Sequence, residues 1–207
     1  MSVVTTDVLA VDPANPDARA LVRAAEVLRG GGLVAFPTET FYGLGAAACD
    51  GSAVRRVFSV KARDPGKPLL VLVDSVAMAE RVAEVTPRAR ELMARHWPGA
   101  LTLVLRARPG LPPELTAGTG TIGVRLSPHP LAHGLVRALG SPLTAPSANL
   151  AEATPPTTAA AVLAAFGGAV DLVLDGGATA GGPPSTVVDV TTETPRVLRQ
   201  GAVLLCA

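Results

Sequence analysis

The stretch AFPTETFYGLGAAA, from Ala35 to Ala48, joins a short apolar run to a turn rich in polar groups. The run begins at Leu33 and stops at Pro37, and two threonines, a glutamate and a tyrosine follow before Gly43. Because proline and glycine interrupt strands, this pattern predicts a strand that ends in a tight turn. Folding alone does not require two hydroxyls, an acid and two aromatic rings at this position, so the turn is a candidate functional site.

Outward from this turn, segments with helical and strand patterns alternate along the chain. We predict helices at 17–29, 52–61, 131–139 and 157–166, with two shorter helices that follow Ser75 and Thr86. We predict strands at 33–36, 69–73, 101–105, 121–126, 142–145, 172–174, 186–190 and 196–198. Several neighbouring strands lie too close in sequence for a helix between them, which favours a sheet of mixed direction. We therefore expect one α/β domain, residues 1–207.

The composition excludes several classes of protein. With 48% hydrophobic residues, 17% charged residues and a formal net charge of +1, the chain is not expected to bind nucleic acid tightly by charge alone. Its longest apolar stretch, 159–170, is shorter than the roughly 20 residues of a membrane span, and no signal peptide is visible. Neither the two cysteines, Cys49 and Cys206, nor the three histidines have metal-binding spacing. We expect a cytoplasmic protein without a protein-held metal motif or a membrane partner.

Three cations lie within seven residues of the segment KARDPGKP: Lys61, Arg63 and Lys67. The segment follows an apolar helical pattern and precedes an apolar strand pattern, and Asp64-Pro65-Gly66 predicts a bend within it. Like charges held so close together favour an anion between them, and polyphosphate is the natural candidate. A solvated basic loop remains the alternative interpretation.

Further polar residues follow predicted strands, where α/β proteins commonly place their sites. Ser147 and Asn149 in TAPSAN offer groups for a phosphate or ribose, although a turn capped by serine and asparagine would have the same sequence. Arg125 in an apolar strand indicates either an exposed sheet edge or a partner for a carboxylate in a cleft. No Walker, dinucleotide-binding or nucleophile-elbow motif is present, so any ATP would bind by another route.

Taken together and in this order, these segments resemble the YrdC-like family of threonylcarbamoyl-AMP synthases. The resemblance covers 20–202 and rests on FPTETFYGLG, KARDPGKPLLVLV, WPGALTLVL, GVRLSPHP, TAPSANL, PSTVVD and LRQG. It implies an open twisted α/β sheet with flanking helices and a large concave basic face. It also implies that L-threonine, bicarbonate or CO2, and ATP with Mg²⁺ give threonylcarbamoyl-AMP and pyrophosphate, for N6-threonylcarbamoyladenosine modification of tRNA.

The resemblance also implies the residues of the site. Threonine is expected to bind Thr40, Arg125, Ala145 and Ser185. ATP is expected to bind Arg63, Lys67, Thr121, Ser147, Asn149 and Arg199, with Lys61 and Arg63 as the catalytic pair that neutralises phosphate charge. The segment 64–67 is expected to act as a lid. The chain departs from the family pattern at Leu72, where many members have histidine, and at Ala151, Glu152 and Pro155.

Two other functions stay open from the sequence. One is a relative that adenylates carbamoyl groups taken from carbamoyl phosphate, although such domains usually occur in longer chains with further modules. The other is a module that binds double-stranded RNA or tRNA weakly through a basic face, against which the near-neutral charge and the 3% aromatic content count. We expect the short, single-domain form of the synthase, which passes its adenylate to separate tRNA threonylcarbamoyl-transfer proteins.

Overall fold

The computed structural model describes residues 5–151 and 153–205 of the chain. The strands are β1 (Asp7–Ala10), β2 (Val34–Pro37), β3 (Tyr42–Gly45), β4 (Leu70–Leu72), β5 (Leu101–Arg106), β6 (Thr121–Arg125), β7 (Leu143–Thr144), β8 (Leu172–Asp175), β9 (Thr186–Asp189) and β10 (Arg196–Arg199). The helices are α1 (Ala18–Arg29), α2 (Gly51–Lys61), α3 (Val76–Val82), α4 (Pro87–His96), α5 (Pro113–Thr116), α6 (Pro130–Leu139) and α7 (Ala159–Phe166). None of these helices is long and apolar enough to cross a bilayer.

The described strands form two sheets, and both are mixed in direction. One sheet has the order β1-β8-β2-β3, in which only β3 runs antiparallel to its neighbour. The other has the order β10-β9-β5-β6-β4-β7, with parallel β9–β5 and β6–β4 pairs between antiparallel ones. The predicted α/β class and mixed direction are confirmed, whereas the strands divide between two sheets.

The two sheets meet where β3 approaches β7. Isolated bridges join Gly43 to Ser147 and Ala47 to Leu143, and the Leu44 N–H donates to the Pro146 carbonyl at 2.8 Å. The Thr144 hydroxyl donates to the Leu44 carbonyl at 3.1 Å, so side-chain bonding also links the two sheets. The β2–β3 turn of one sheet is thereby held beside the β7 end of the other.

Local signals explain where most helices begin and end. The Asp17 side chain accepts from the Arg19 N–H at 2.9 Å at the start of α1, and the Thr86 side chain accepts from the Ala89 N–H at 3.1 Å at the start of α4. The helix α2 ends at Ala62, whose left-handed φ of 48° turns the chain. The chain therefore turns away from the helix axis before Arg63.

Three short elements were not predicted: β1, β3 and α5. The sequence of β3, YGLG, contains two glycines, which are poor strand formers. Those glycines are required by packing, because a Cβ at Gly45 would lie 2.9 Å from the Phe36 ring. β1 is mostly exposed, and α5 is a single helical turn of four residues. Short elements of this kind carry too little periodicity to be recognised.

Candidate active site

Two adjoining cavities open where the sheets meet. The first has a volume of about 340 Å³ and is lined by Thr38, Thr40, Phe41, Tyr42, Gly43, Leu70, Leu72, Arg125, Ala145, Ser147, Pro155, Pro184, Ser185 and Arg199. The second has a volume of about 280 Å³ and is lined by Arg63, Pro68, Leu69, Leu70, Thr102, Val104, Thr121, Gly123, Pro146, Ser147, Val187 and Arg199. Leu70, Ser147 and Arg199 belong to both linings, so ligands in the two cavities would lie side by side.

The β2–β3 turn forms one wall of the first cavity. The Thr38 hydroxyl donates to the Phe41 carbonyl at 2.7 Å and accepts from the Phe41 N–H at 3.3 Å, which closes the turn. The Thr40 hydroxyl lies 3.3 Å from that of Thr38, and the Thr40 carbonyl accepts from the Gly181 N–H at 2.8 Å. These bonds hold Thr40, a predicted threonine-binding residue, in the cavity wall.

Arg125 lies at the end of β6 and lines the first cavity while remaining only 6% exposed. Its Nη2 atom pairs with Oε1 of Glu39, and the Ser127 hydroxyl donates to Glu39 Oε2 at 2.7 Å. Burial and then the charge of Arg199 lower the pKa of Arg125 to about 10, so the guanidinium is still charged at neutral pH. Of the two interpretations that the sequence left open for Arg125, an exposed sheet edge or a carboxylate partner in a cleft, the structure shows the second, and the partner is Glu39.

Ser185 and Arg199 complete the first cavity from the opposite side. Arg199 Nη2 donates to the Ser185 carbonyl at 2.9 Å and to the Ser185 hydroxyl at 3.2 Å. The Ser185 hydroxyl also lies 2.9 Å from that of Thr102, which lines the second cavity. Partial burial lowers the pKa of Arg199. This network fixes the wall that separates the two cavities.

The second cavity brings together four of the predicted ATP-binding residues: Arg63, Thr121, Ser147 and Arg199. Arg63 donates from Nε to the Lys67 carbonyl at 3.3 Å and from Nη2 to the Pro68 carbonyl at 3.1 Å. Burial is the main cause that lowers the pKa of Arg63, and Asp64 acts in the opposite direction. The arrangement presents two guanidinium groups and two hydroxyls, which suits a polyanion.

Lys61 does not line either cavity. It is 3% exposed, and its ammonium group donates to the Ser147 carbonyl at 2.5 Å and to the Asn149 carbonyl. Burial, followed by the charge of Arg63, lowers the pKa of Lys61 to about 8. In this conformation Lys61 therefore holds the backbone of the Ser147 loop, and its predicted catalytic role beside the phosphates stays a prediction.

Two further predicted ATP ligands also lie away from the second cavity. Lys67 is exposed and lines neither cavity. Asn149 donates from Nδ2 to the carbonyls of Leu150 and Ala153, at 2.8 and 2.7 Å. It lines a separate cavity of about 290 Å³ beside α7. In this conformation the Lys67 side chain extends from its loop, and the Asn149 side chain stabilises the loop that contains it.

The sequence did not identify several residues of the site. Glu39 was noted in the turn but not as the partner of Arg125, and its acidic side chain next to an apolar strand was the available signal. Leu70 and Thr102 also line the cavities, although the apolar pattern of their strands predicts core positions. Leu72, at one departure from the family pattern, forms an apolar part of the first cavity, which Pro155 also lines. Glu152 and Cys206 lie outside the described residues.

Comparison with known proteins places this arrangement in a family. The family model Sua5_yciO_yrdC, described as telomere recombination, matches residues 26–201. The chain is 41% identical over 202 residues to threonylcarbamoyl-AMP synthase of Bacillus subtilis, covering 97% of this chain and 57% of the relative. It is 41% identical over 166 residues to the protein of the same name from Thiobacillus denitrificans, covering 80% of this chain and 88% of the relative.

Solved structures give the same result. The crystal structure of Pyrococcus abyssi Sua5 complexed with L-threonine superposes with a TM-score of 0.91 and 40% identity, covering 95% of this chain and 58% of that one. Escherichia coli YciO superposes with a TM-score of 0.87 and 29% identity, covering 95% of this chain and 96% of that one. The first two curated relatives are longer, since the chain spans 57% and 54% of their lengths. The chain belongs to the Sua5/YciO/YrdC family.

Proposed function

We propose that the protein is an L-threonylcarbamoyladenylate synthase, an adenylyl-transferring enzyme that forms threonylcarbamoyl-AMP and pyrophosphate from L-threonine, bicarbonate or CO2, and ATP. The proposal rests mainly on the pair of adjoining cavities. Arg125 lines the first, Arg63 lines the second, and Ser147 and Arg199 line both. The names of the relatives and the threonine-bound Sua5 support the same assignment. The product would serve N6-threonylcarbamoyladenosine modification of tRNA.

The first cavity suits the amino acid. Its polar groups include the buried guanidinium of Arg125, the guanidinium of Arg199 and the hydroxyls of Thr40 and Ser185. Leu72 supplies an apolar surface. A guanidinium can bind a carboxylate through two N–H groups, which an ammonium group cannot reproduce. Threonine would therefore lie with its carboxylate toward Arg125 and with Ala145 in the surrounding wall.

The second cavity suits the triphosphate of ATP. Arg63 and Arg199 would neutralise charge that grows on the phosphate oxygens, and the hydroxyls of Thr121 and Ser147 would donate to them. Among the described residues no aspartate or glutamate lines this cavity, and we propose that Mg²⁺ enters as a substrate together with ATP and is held by phosphate oxygens. Metal-bound phosphates make pyrophosphate a better leaving group.

The reaction needs two steps at the boundary of the cavities. The threonine amine attacks CO2, forming a C–N bond and releasing a proton, to give a carbamate. A carbamate oxygen then attacks the α-phosphorus of ATP, and the bond to the β-phosphate oxygen breaks to release pyrophosphate. Because no covalent enzyme intermediate is required, the protein acts by holding the two substrates together and by stabilising charge.

Loop closure would bring in the remaining predicted residues. The segment 64–67 is bent by a bond from the Gly66 N–H to Asp64 Oδ1 at 2.8 Å. We propose that this segment is a lid whose closure carries Lys67 to the triphosphate and limits hydrolysis of the carbamate. Asn149 would reach ATP by a rearrangement of the loop that Lys61 holds. With these two movements, Lys67 and Asn149 would both contact ATP, as the sequence predicts.

The surroundings of the reaction are also part of the proposal. We expect the enzyme to act in the cytoplasm, where its substrates and tRNA are found, and to pass the adenylate to separate transfer proteins. Weak binding of tRNA or double-stranded RNA is expected from the cationic cavity residues, as for any cationic surface.

The test is pyrophosphate release by the purified chain, with the product identified by mass spectrometry. Release should require L-threonine, bicarbonate and ATP together, and the product should have the mass of threonylcarbamoyl-AMP. Release that depends on carbamoyl phosphate and not on threonine would instead support the carbamoyl-adenylating function. Micromolar RNA binding at physiological salt without any ATP turnover would support the RNA-binding function.

A further inference from the structure

Arg125 and Glu39 form an ion pair in the wall of the first cavity, and nothing in the proposed reaction requires the glutamate. The pair is mostly buried, because the side chains of Arg125 and Glu39 are 7% and 21% exposed. Only Arg125 lines the cavity itself. The carboxylate of Glu39 therefore compensates the guanidinium from behind while the guanidinium faces the ligand space.

Glu39 is held firmly in this position. Its Oε2 atom accepts from the Ser127 hydroxyl at 2.7 Å, and that hydroxyl accepts from the His129 N–H at 3.2 Å. Ser127 is itself 2% exposed. The bond to Ser127 fixes one carboxylate oxygen, so the other oxygen is directed to Arg125. The carboxylate of Glu39 is therefore fixed beside Arg125 in the ligand-free protein.

Arg125 retains unused hydrogen-bonding capacity. Its Nε and Nη2 atoms are buried and make no hydrogen bond of ordinary geometry among the described residues, although Nη2 is ion-paired with Glu39. A guanidinium has five N–H donors, and Glu39 engages it through one oxygen. A second carboxylate can therefore bind Arg125 without displacing Glu39, but it then shares a positive charge that is already partly compensated.

We propose that Glu39 is the resident counter-ion of Arg125 and that it limits the affinity of the first cavity for the carboxylate of the amino acid. A buried arginine without a partner would destabilise the ligand-free protein strongly. With Glu39 present, the ligand-free state is stable, and a bound carboxylate gains less. This inference rests on the proposed function, because it takes the amino acid to be the ligand of the first cavity.

The proposal predicts opposite changes in stability and in affinity. Glu39→Gln keeps the size of the side chain and removes its charge, so the thermal midpoint of the ligand-free protein should fall. The dissociation constant for L-threonine should fall by about tenfold, because the ligand carboxylate becomes the only counter-ion. A glutamate with a merely structural role would lower stability and weaken threonine binding together.

A ligand without the carboxylate isolates the interaction. L-Threoninamide should bind less tightly than L-threonine to the wild-type protein, and the ratio of the two dissociation constants should be larger in Glu39→Gln. The matched control is Glu114→Gln, which removes another arginine-paired carboxylate that lines neither cavity. This control should leave the dissociation constant for threonine unchanged.

The experiment is calorimetric titration of the three proteins with L-threonine and L-threoninamide, together with their thermal midpoints. If Glu39→Gln does not fold, Glu39→Asp retains the charge farther from Arg125, and about threefold tighter binding is expected. Unchanged or weaker threonine binding in the folded variant would overturn the proposal while leaving the proposed function intact. Failure of the wild-type protein to bind threonine at all would overturn both.

Discussion

The two cavities hold their arginines in different ways. In the first, Arg125 is buried and faces the carboxylate of Glu39. In the second, Arg63 donates to two backbone carbonyls, and Arg199 donates to the carbonyl and hydroxyl of Ser185. Neither of these two forms an ion pair within the described part of the chain. Because Arg199 lines both cavities, the contrast lies between Arg125 and Arg63. A carbonyl dipole compensates less charge than a carboxylate, so Arg63 keeps more positive charge for a ligand than Arg125 does.

This difference matches the two substrates of the proposed reaction. An amino acid offers one carboxylate, and a partly compensated guanidinium can orient it and release it. A triphosphate carries several negative charges, which grow during the transfer step and which guanidinium groups without an ion-pair partner can bind. Arginine is thus adapted to two different ligands by the groups that it contacts in the ligand-free protein. Each prediction below tests one part of this difference.

The largest effect is expected in the second cavity, on replacement of Arg63. Arg63→Ala removes a charge that has no ion-pair partner among the described residues and should lower the rate of pyrophosphate release by about 30- to 1000-fold, or about 2–4 kcal/mol. The control is Arg81→Ala, which removes an exposed arginine that donates to the Gly140 carbonyl at 3.4 Å. Its rate should stay close to that of the wild type. A loss below threefold for Arg63→Ala would exclude it from catalysis.

In the first cavity, Arg125→Lys should act on threonine and not on ATP. Lysine keeps the positive charge but loses the planar fork that binds a carboxylate through two bonds. We expect KM for threonine to rise by about 10- to 100-fold, equivalent to about 1.4–2.8 kcal/mol, while KM for ATP changes little. Steady-state kinetics with each substrate varied in turn checks this split. Equal changes in both constants would contradict the separation of the two cavities.

The wall between the cavities should contribute to stability. Thr102→Val keeps the shape of the side chain and removes the hydroxyl that lies 2.9 Å from the Ser185 hydroxyl. The free energy of unfolding should decrease by about 1 kcal/mol, because a buried hydrogen bond is lost. Urea unfolding monitored by circular dichroism measures the change. A variant as stable as the wild type would show that this bond does not hold the wall.

The smallest predicted effect is a dependence of stability on pH through Lys61. Its pKa of about 8 lies below the ordinary value of 10.5, so the unfolded chain keeps the proton at pH values where the folded chain releases it. Stability contributed by this group should therefore rise with pH across that window. Between pH 7 and pH 8.5 the wild type should gain less than about 1 kcal/mol relative to Lys61→Met in urea unfolding. A decrease would contradict the lowered pKa.

Much of the fold could be predicted because its elements are long and periodic. The helices α1, α2 and α6 and the strands β5 and β6 lie within a few residues of the predicted ranges. The strand β3 was missed because its glycines are selected by contact with Phe36 and not by strand propensity. The junction of the two sheets includes isolated bridges between residues that are about 100 positions apart in sequence, and such contacts leave no local signal.

The site could be predicted by residue but not by contact. Of the residues predicted to bind ATP, one cavity is lined by Arg63, Thr121, Ser147 and Arg199 but not by Lys67 or Asn149. The other cavity is lined by all four residues predicted to bind threonine: Thr40, Arg125, Ala145 and Ser185. Their binding roles stay predictions. Lys61 shows the limit of such prediction, since a lysine one residue before a left-handed turn gives no sign that its ammonium group points to two carbonyls. The pairing of Glu39 with Arg125 likewise joins segments that are distant in sequence.

The most direct test of the two-cavity account is a crystal structure with L-threonine and a non-hydrolysable ATP analogue bound together. The account predicts the threonine carboxylate on Arg125 in the first cavity and the triphosphate between Arg63 and Arg199 in the second. A triphosphate bound at Arg125, or either ligand bound outside the two cavities, would contradict it.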